Sequence, residues 1–211
     1  LRELFPEVRK VVKKVPLIAA GGISDGYEVG EMMSKYGFPG SVSLSVALCD
    51  HIPEVVEDAN RRGWELAVQD QVAATRRMVQ NALVMVIDLD GFKEINDAYG
   101  HATGDRLIRA VAAGLAVLVG EGAGLARIGG DEFGIVLTGQ DAQARAYTLA
   151  TSIIAFFDEP VLLGERTVVV GCSIGICVSE GGQVDGSELT RRADMAMYSS
   201  KDGGRGRWTL Y

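Results

Sequence analysis

The stretch Arg127-Ile128-Gly129-Gly130-Asp131-Glu132-Phe133 constrains this chain more than any other. Apolar runs flank it on both sides, Gly124-Leu125-Ala126 before and Gly134-Ile135-Val136-Leu137 after. Two such runs joined by a short Gly-containing connection read as a β-hairpin. The paired glycines free the backbone for a tight turn, and two carboxylates follow at once. Acids on a turn are often no more than solvated surface, so the hairpin needs a second feature before it implies chemistry.

That feature lies upstream. Asn81 to Ile87 is a near-continuous apolar run, the pattern of a central strand covered on both faces, and it ends in Asp88-Leu89-Asp90. A carboxylate at the end of a buried strand is costly unless it is paired, hydrogen-bonded or metal-bound. Asp88 is therefore more informative than any surface acid. Two acidic strand ends, Asp88 and Asp131, separated by a helical connection suggest strands brought side by side. Hard oxygen ligands of this kind suit Mg²⁺, which keeps waters and takes one or two protein carboxylates plus substrate phosphates. The pair points to a Mg²⁺–nucleotide site, with capping and solvated acids as the plainer alternative.

Gly91 to Asp97 starts a helix that Tyr99-Gly100-His101 breaks. Gly104-Asp105 then opens a longer amphipathic helix through Leu107, Ile108, Val111, Leu115 and Leu118. From Ile52 to about Gln80 the pattern is also helical, interrupted at Asn60-Arg61-Arg62-Gly63-Trp64. The first 59 residues read separately: a helix from Leu4 to Val15, a short strand Pro16 to Ala20, a loop Gly21 to Asp25, a helix towards Tyr36 and a strand Val42 to Leu48. This β-α-β pattern favours a parallel pairing. Its Ala19-Ala20-Gly21-Gly22 loop could cradle a phosphate at a helix N-terminus, but with no accompanying lysine or second glycine motif a plain strand-to-helix turn is the favoured reading.

With 211 residues the chain can hold one domain of about 150 residues and a smaller piece. A net charge of −7 argues against a broad nucleic-acid surface. No apolar run approaches the roughly 20 residues that span a bilayer, and no signal peptide is visible, so no membrane contact is expected within this sequence. Because it opens on Leu1 rather than Met, the chain is expected to be part of a longer protein that could be membrane-tethered. Cys49, Cys172 and Cys177 lack metal spacing; the last two share a strand at odd separation and should face opposite sides, as buried reduced thiols of a cytoplasmic protein.

Five ordered blocks carry a family resemblance: Asp88 to Asp97, Gly100 to Asp105, Arg127 to Phe133, Cys172 to Ile176, and Ala193 to Tyr198 with Lys201, Gly204 and Arg205. Together they closely resemble the GGDEF domain of diguanylate cyclases, over residues 60–211. The resemblance implies an α/β (α+β) fold, a nucleotide-cyclase or palm-like central sheet, mostly antiparallel and flanked by helices, here preceded by the short α/β segment of residues 1–59. The pattern agrees: strand 82–88, helices 91–98 and 104–118, hairpin 125–137, helix 141–157, strand 167–178 and helix 187–200.

The resemblance also implies roles. Asp88, Asp131 and the carbonyl of Leu89 would bind Mg²⁺, with Mn²⁺ able to substitute. Asp131 would help activate the attacking 3′-hydroxyl, and Glu132 would stay near the metal. Lys93 would stabilise charge on the reacting phosphates. Asn96 and Asp105 would hydrogen-bond the guanine of GTP with His101 nearby, Gly129 and Gly130 would leave room for the nucleotide, and Lys201 and Arg205, four apart on one face of a helix end, would grip the β- and γ-phosphates. Two GTP-loaded domains would meet as a homodimer to make cyclic di-GMP. A catalytically silent GTP-binding regulatory module is the alternative. Phe92 and Tyr198 read as packing residues.

The sequence departs from the family pattern in places. Gly120, Glu121, Gly122 and Ala123 stand where many members carry an Arg-x-x-Asp inhibitory site, so no tight product feedback is expected through it. The usual Asp-x-Leu-Thr opening reads Pro53-Glu54-Val55-Val56-Glu57-Asp58 here, and Gly206 replaces a common Asn.

Overall fold

The structure, a computed structural model, describes residues 53–78, 80–120, 123–164, 166–179 and 183–211. The β-α-β reading, its glycine loop and Cys49 lie outside them, as do Glu121 and Gly122. Among the described residues no helix is long and apolar enough to cross a membrane.

The chain runs helix α1 (Pro53–Met78), strand β1 (Asn81–Asp90), helices α2 (Phe92–Tyr99) and α3 (His101–Val119), strands β2 (Gly124–Arg127) and β3 (Glu132–Gly139), helix α4 (Ala142–Phe157), strands β4 (Val161–Leu163), β5 (Arg166–Val168) and β6 (Gly171–Ser179), helix α5 (Gly186–Asp202) and strand β7 (Arg207–Leu210). The sheet order is β2-β3-β1-β6-β7, with β4-β5 as a separate small ribbon. Every pairing in the large sheet is antiparallel except β6 with β7.

The apolar run of β1 is buried on both faces because each face receives its own core. Leu83, Met85, Ile87 and Leu89 join Leu107, Val111 and Leu115 of α3 and Ala146, Ala150 and Ile153 of α4. Ala82, Val84 and Val86 join Trp64, Val68 and Val72 of α1 and Leu189, Ala193 and Met197 of α5. Each fully buried side chain of this size contributes about 1.5–3 kcal/mol of transfer free energy. The two cysteines of β6 divide as alternation requires, Cys172 into the first core and Cys177 into the second.

Val86 marks where the second core is tightest. Its neighbours across the sheet are Gly134 on β3 and Gly175 on β6. A Cβ at Gly134 would lie 2.7 Å from the Trp64 ring. One at Gly175 would collide with the backbone of α5 at Ala193 and Met197. Those two glycines let α1 and α5 lie directly on the sheet.

Several boundaries differ from the sequence reading. Helix α1 is continuous through Asn60–Trp64, because Trp64 is anchored in the core and holds the turn that Gly63 would loosen. Helix α3 begins at His101, and Gly104 lies inside it, where it leaves room for Asn96. The strand expected at 167–178 is two strands, β5 in the small ribbon and β6 in the main sheet. Strands β4 and β7 are too short to show a period. Tyr198, read as packing, is 56% exposed.

Replacing Gly175 by Ala should destabilise the fold by about 3 kcal/mol, since rigid backbone rather than a side chain stands in the way. Denaturant unfolding would measure it, and a loss below about 0.5 kcal/mol would show that α5 can lift at little cost.

Candidate active site

Strand pairing alone brings the two acidic segments together. Asp88 stands opposite Glu132 in the β1–β3 register, and the Leu89 N–H donates to the Asp131 carbonyl at 3.2 Å. Alternation along β1 sends Asp88 and Asp90 to the α1/α5 face and Leu89 into the opposite core. Helix α5 returns along that face and sets Lys201 Nζ 2.7 Å from Asp88 Oδ2.

The turn between β2 and β3 is fixed by its own bonds. The Ile128 and Gly129 N–H groups donate to the Glu132 carbonyl at 2.9 and 3.3 Å. Arg127 folds over the tip, with Nε 3.1 Å from the Gly129 carbonyl and Nη2 2.6 Å from that of Gly130. Neither glycine has a left-handed φ. A Cβ at Gly129 would lie 2.5 Å from Glu132 Oε2, so a side chain there would displace that carboxylate. That same oxygen accepts from Arg61 Nη2 at 3.1 Å, so helix α1 reaches into the site.

The electrostatics are those of a concentrated negative site. Burial pushes the Asp88 carboxyl above its usual range; the Lys201 hydrogen bond opposes this and the Asp131 charge adds to it. Burial also raises Asp131, opposed by a backbone hydrogen bond and reinforced by Glu132. Burial raises Glu132, with Arg61 opposing and Asp88 and Asp194 adding. At Lys201 burial disfavours the charge, but the bond to Asp88 and the field of Asp131 outweigh it and hold the ammonium above its usual value.

Three neighbouring carboxyls, each reluctant to ionise, share too little positive charge. A divalent cation would supply it, and the carboxylates of Asp88 and Asp131 with the Leu89 carbonyl are the hard oxygen donors that suit Mg²⁺, or Mn²⁺ by the same chemistry. Among the described residues no group of three or more His, Cys, Asp or Glu side chains forms a ready-made metal cage.

The other expected residues cluster at α2 and α3. Asn96 Oδ1 is buried without a hydrogen-bond partner, and it contacts the space beside Gly104, next in the chain to Asp105. An unpaired buried acceptor costs about 1–3 kcal/mol and marks a position that a ligand can satisfy. Lys93, in the first turn of α2, and His101 and Asp105, in the first turns of α3, are exposed. Arg205 is not on a helix face with Lys201. Helix α5 ends at Asp202, and Arg205 follows in a turn at φ 62°.

Sequence reading passed over Arg61, Asp194, Arg127, Ser173 and Asp90. Asp90 carries a legible signal, since it is two residues from Asp88 on a strand and must share its face. Arg61 does not, because its partner is 71 positions away.

All three acids bind protons more tightly in the folded state than in an unfolded chain, so their ionisation destabilises the fold as pH rises from the ordinary carboxylate range towards neutrality. Asp131→Asn should therefore raise the metal-free melting temperature at pH 7 by about 3 °C. The gain should shrink as pH falls through the carboxylate range, where protonation removes the charge that the substitution relieves; a lower Tm for the variant at pH 7 would overturn this charge balance.

The family model described as "Diguanylate cyclase, GGDEF domain" matches residues 56–207. Among curated relatives, the signaling protein YkoW of Bacillus subtilis is 41% identical over 132 residues, 62% of this chain and 16% of its own length. The probable diguanylate cyclase DgcE of Escherichia coli is 36% identical over 154 residues, 72% of this chain and 14% of its own. The cyclic di-GMP phosphodiesterase PdeR of Escherichia coli is 39% identical over 61% of this chain and 19% of its own length. The chain thus spans less than a fifth of these relatives. Among solved structures, the GGDEF domain of YfiN from Pseudomonas aeruginosa superposes with TM-score 0.68 at 34% identity, covering 72% of this chain and 94% of that one. The GGDEF domain of DgcB from Caulobacter crescentus, in complex with c-di-GMP, gives TM-score 0.66 at 30% identity over 72% and 90%. With its acidic turn docked on the acidic end of the central strand, and with the family model covering most of its length, this chain belongs to the GGDEF domain family of diguanylate cyclases.

Proposed function

We propose that residues 60–211 form an active diguanylate cyclase domain, which condenses two GTP into cyclic di-GMP with release of two pyrophosphates at the interface of two such domains. The observation that carries this reading is the set Asp88 at the end of β1, Asp131 in the turn and Glu132 opposite Asp88 on β3, with burial raising all three carboxyls. The silent regulatory module remains the second reading because a protein named as a phosphodiesterase carries a similar domain.

Bound Mg²⁺ would neutralise the triphosphate and favour departure of pyrophosphate. The remaining work belongs to the chain. Asn96 and Asp105 bind guanine, Asp105 accepting from its N1–H and exocyclic amine, a pairing adenine does not offer. Gly129 and Gly130 leave room for the nucleotide, and His101 lines the same pocket. Lys201 and Arg205 take the β- and γ-phosphates, which requires Lys201 to exchange its bond with Asp88 for one with phosphate. Lys93 stabilises charge on the reacting phosphates.

In each half-reaction the 3′-oxygen of one GTP forms a bond to the α-phosphorus of the other, and the α–β bridging bond breaks. Asp131, its affinity for protons raised by burial, is suited to receive the 3′-hydroxyl proton. Glu132, held by Arg61, stays beside it. Because each domain holds one GTP, the homodimer is the catalytic unit, and its cellular setting follows its substrate, in the cytoplasm.

Incubation with GTP and Mg²⁺ followed by chromatography should yield cyclic di-GMP, with a rate per protein that rises with protein concentration. Asp131→Ala should lower that rate on the order of 100-fold or more. GTP binding without product at any concentration would favour the silent module. Asp105→Ser should cut the preference for GTP over ATP by about 10–100-fold, the worth of a charged hydrogen-bond pair. Unchanged selectivity in competition binding would remove Asp105 from the guanine site.

A further inference from the structure

We infer that Asp90 is a positioning residue that holds the Gly203–Gly206 turn, and with it Arg205, where the triphosphate binds; this rests on the cyclase reading above. The turn is conformationally expensive. Gly204, Arg205 and Gly206 have φ of 114°, 62° and 56°, three consecutive left-handed residues of which one has a side chain. Such a run persists only where its surroundings fix it.

The helix side of the turn is fixed by the end of α5. The Gly204 N–H donates to the Lys201 carbonyl at 3.2 Å and the Arg205 N–H to the Ser200 carbonyl at 3.0 Å. Ser200 is itself buried, its hydroxyl 2.8 Å from the Ile174 carbonyl and 2.8 Å from Thr209 Oγ1. The sheet side is fixed by Asp90. Its Oδ2 accepts from the Gly206 N–H at 3.1 Å. Its Oδ1 accepts from Ser173 Oγ at 2.8 Å and lies 3.8 Å from Arg205 Nε.

The Asp90 side chain is 9% exposed, whereas that of Arg205 is 66% exposed. The acid is therefore committed to the protein and the guanidinium is available to a ligand. Gly171, directly across from Asp90 on β6, completes the arrangement, since a Cβ there would lie 3.2 Å from Asp90 Oδ2. Strand alternation places Asp88 and Asp90 on one face, so the two acids meet the two cations of the α5 end, Asp88 meeting Lys201 and Asp90 the Arg205 turn.

The bonds of Asp90 go to the Arg205 turn and to Ser173, whereas Asn96 on the base side faces Gly104 of α3. That separates positioning from general support of the fold. The test compares affinity for GMP with affinity for a GTP analogue whose α–β bridge cannot be cleaved, by calorimetric titration with Mg²⁺. Asp90→Asn keeps the shape and loses the charge and one acceptor. It should weaken the triphosphate analogue about 10-fold, the worth of one charge-assisted hydrogen bond, while leaving GMP within about 2-fold.

Ser173→Ala, which removes one support and keeps the carboxylate, should act in the same direction by about 3-fold and guards against a misfolded Asp90 variant. In an Arg205→Ala background Asp90→Asn should cost nothing further. Equal losses for both nucleotides, or undiminished analogue binding in both variants, would overturn the positioning role alone. A wild-type protein that binds the analogue no better than GMP would overturn the cyclase reading and this inference together.

Discussion

Negative charge buried at the end of β1 is the constraint to which the rest of the structure answers. Asp88 is 7% exposed and sits against Asp131 and Glu132, in a position where ionised carboxyls are costly. Lys201 from α5, Arg61 from α1 and the backbone bonds of the β2–β3 turn each offset part of that cost from a different element. The site is therefore a meeting point of α1, α5 and the β2–β3 turn on one face of the sheet. Loosening either helix would change the charge balance as directly as replacing an acid.

That meeting requires close approach, and glycine provides it. Gly134 admits Trp64, Gly175 admits the backbone of α5, and Gly104 admits Asn96. In each case the missing Cβ makes room for a neighbouring element rather than permitting an unusual φ. Gly204 and Gly206, both at positive φ, do a different job, shaping the turn that carries Arg205. Packing of α1 through Trp64, Val68 and Val72 also gives the lead-in helix a direct line to Glu132 by way of Arg61. A shift of that helix along its axis would move the partner of the Glu132 carboxylate directly.

Sequence reading was most successful where the physics is local. The continuous apolar run of β1, the hairpin with its two acids and the amphipathic α3 all announce themselves by period or by turn chemistry, and each is present. Reading was weaker where tertiary contacts decide. Asn60–Trp64 carries residues that interrupt helices, yet a buried Trp64 keeps α1 whole. Strands β4, β5 and β7 are three or four residues long, too short to show alternation, and exist because neighbours pair with them.

The sequence by itself determined the central strand, the acidic turn and the family to which they belong, because those depend on residue type and short-range order. It also placed Asp88 and Asp90 on one face, since a strand alternates with period 2. Only the tertiary structure decided which cation faces which acid. Lys201 and Arg205 lie more than a hundred positions from their partners in the chain, and helix α5 must pack on Gly175 before either can reach the end of β1. The same is true of Arg61 and Glu132: charge pairing across such separations follows from where whole elements dock, which no local pattern encodes.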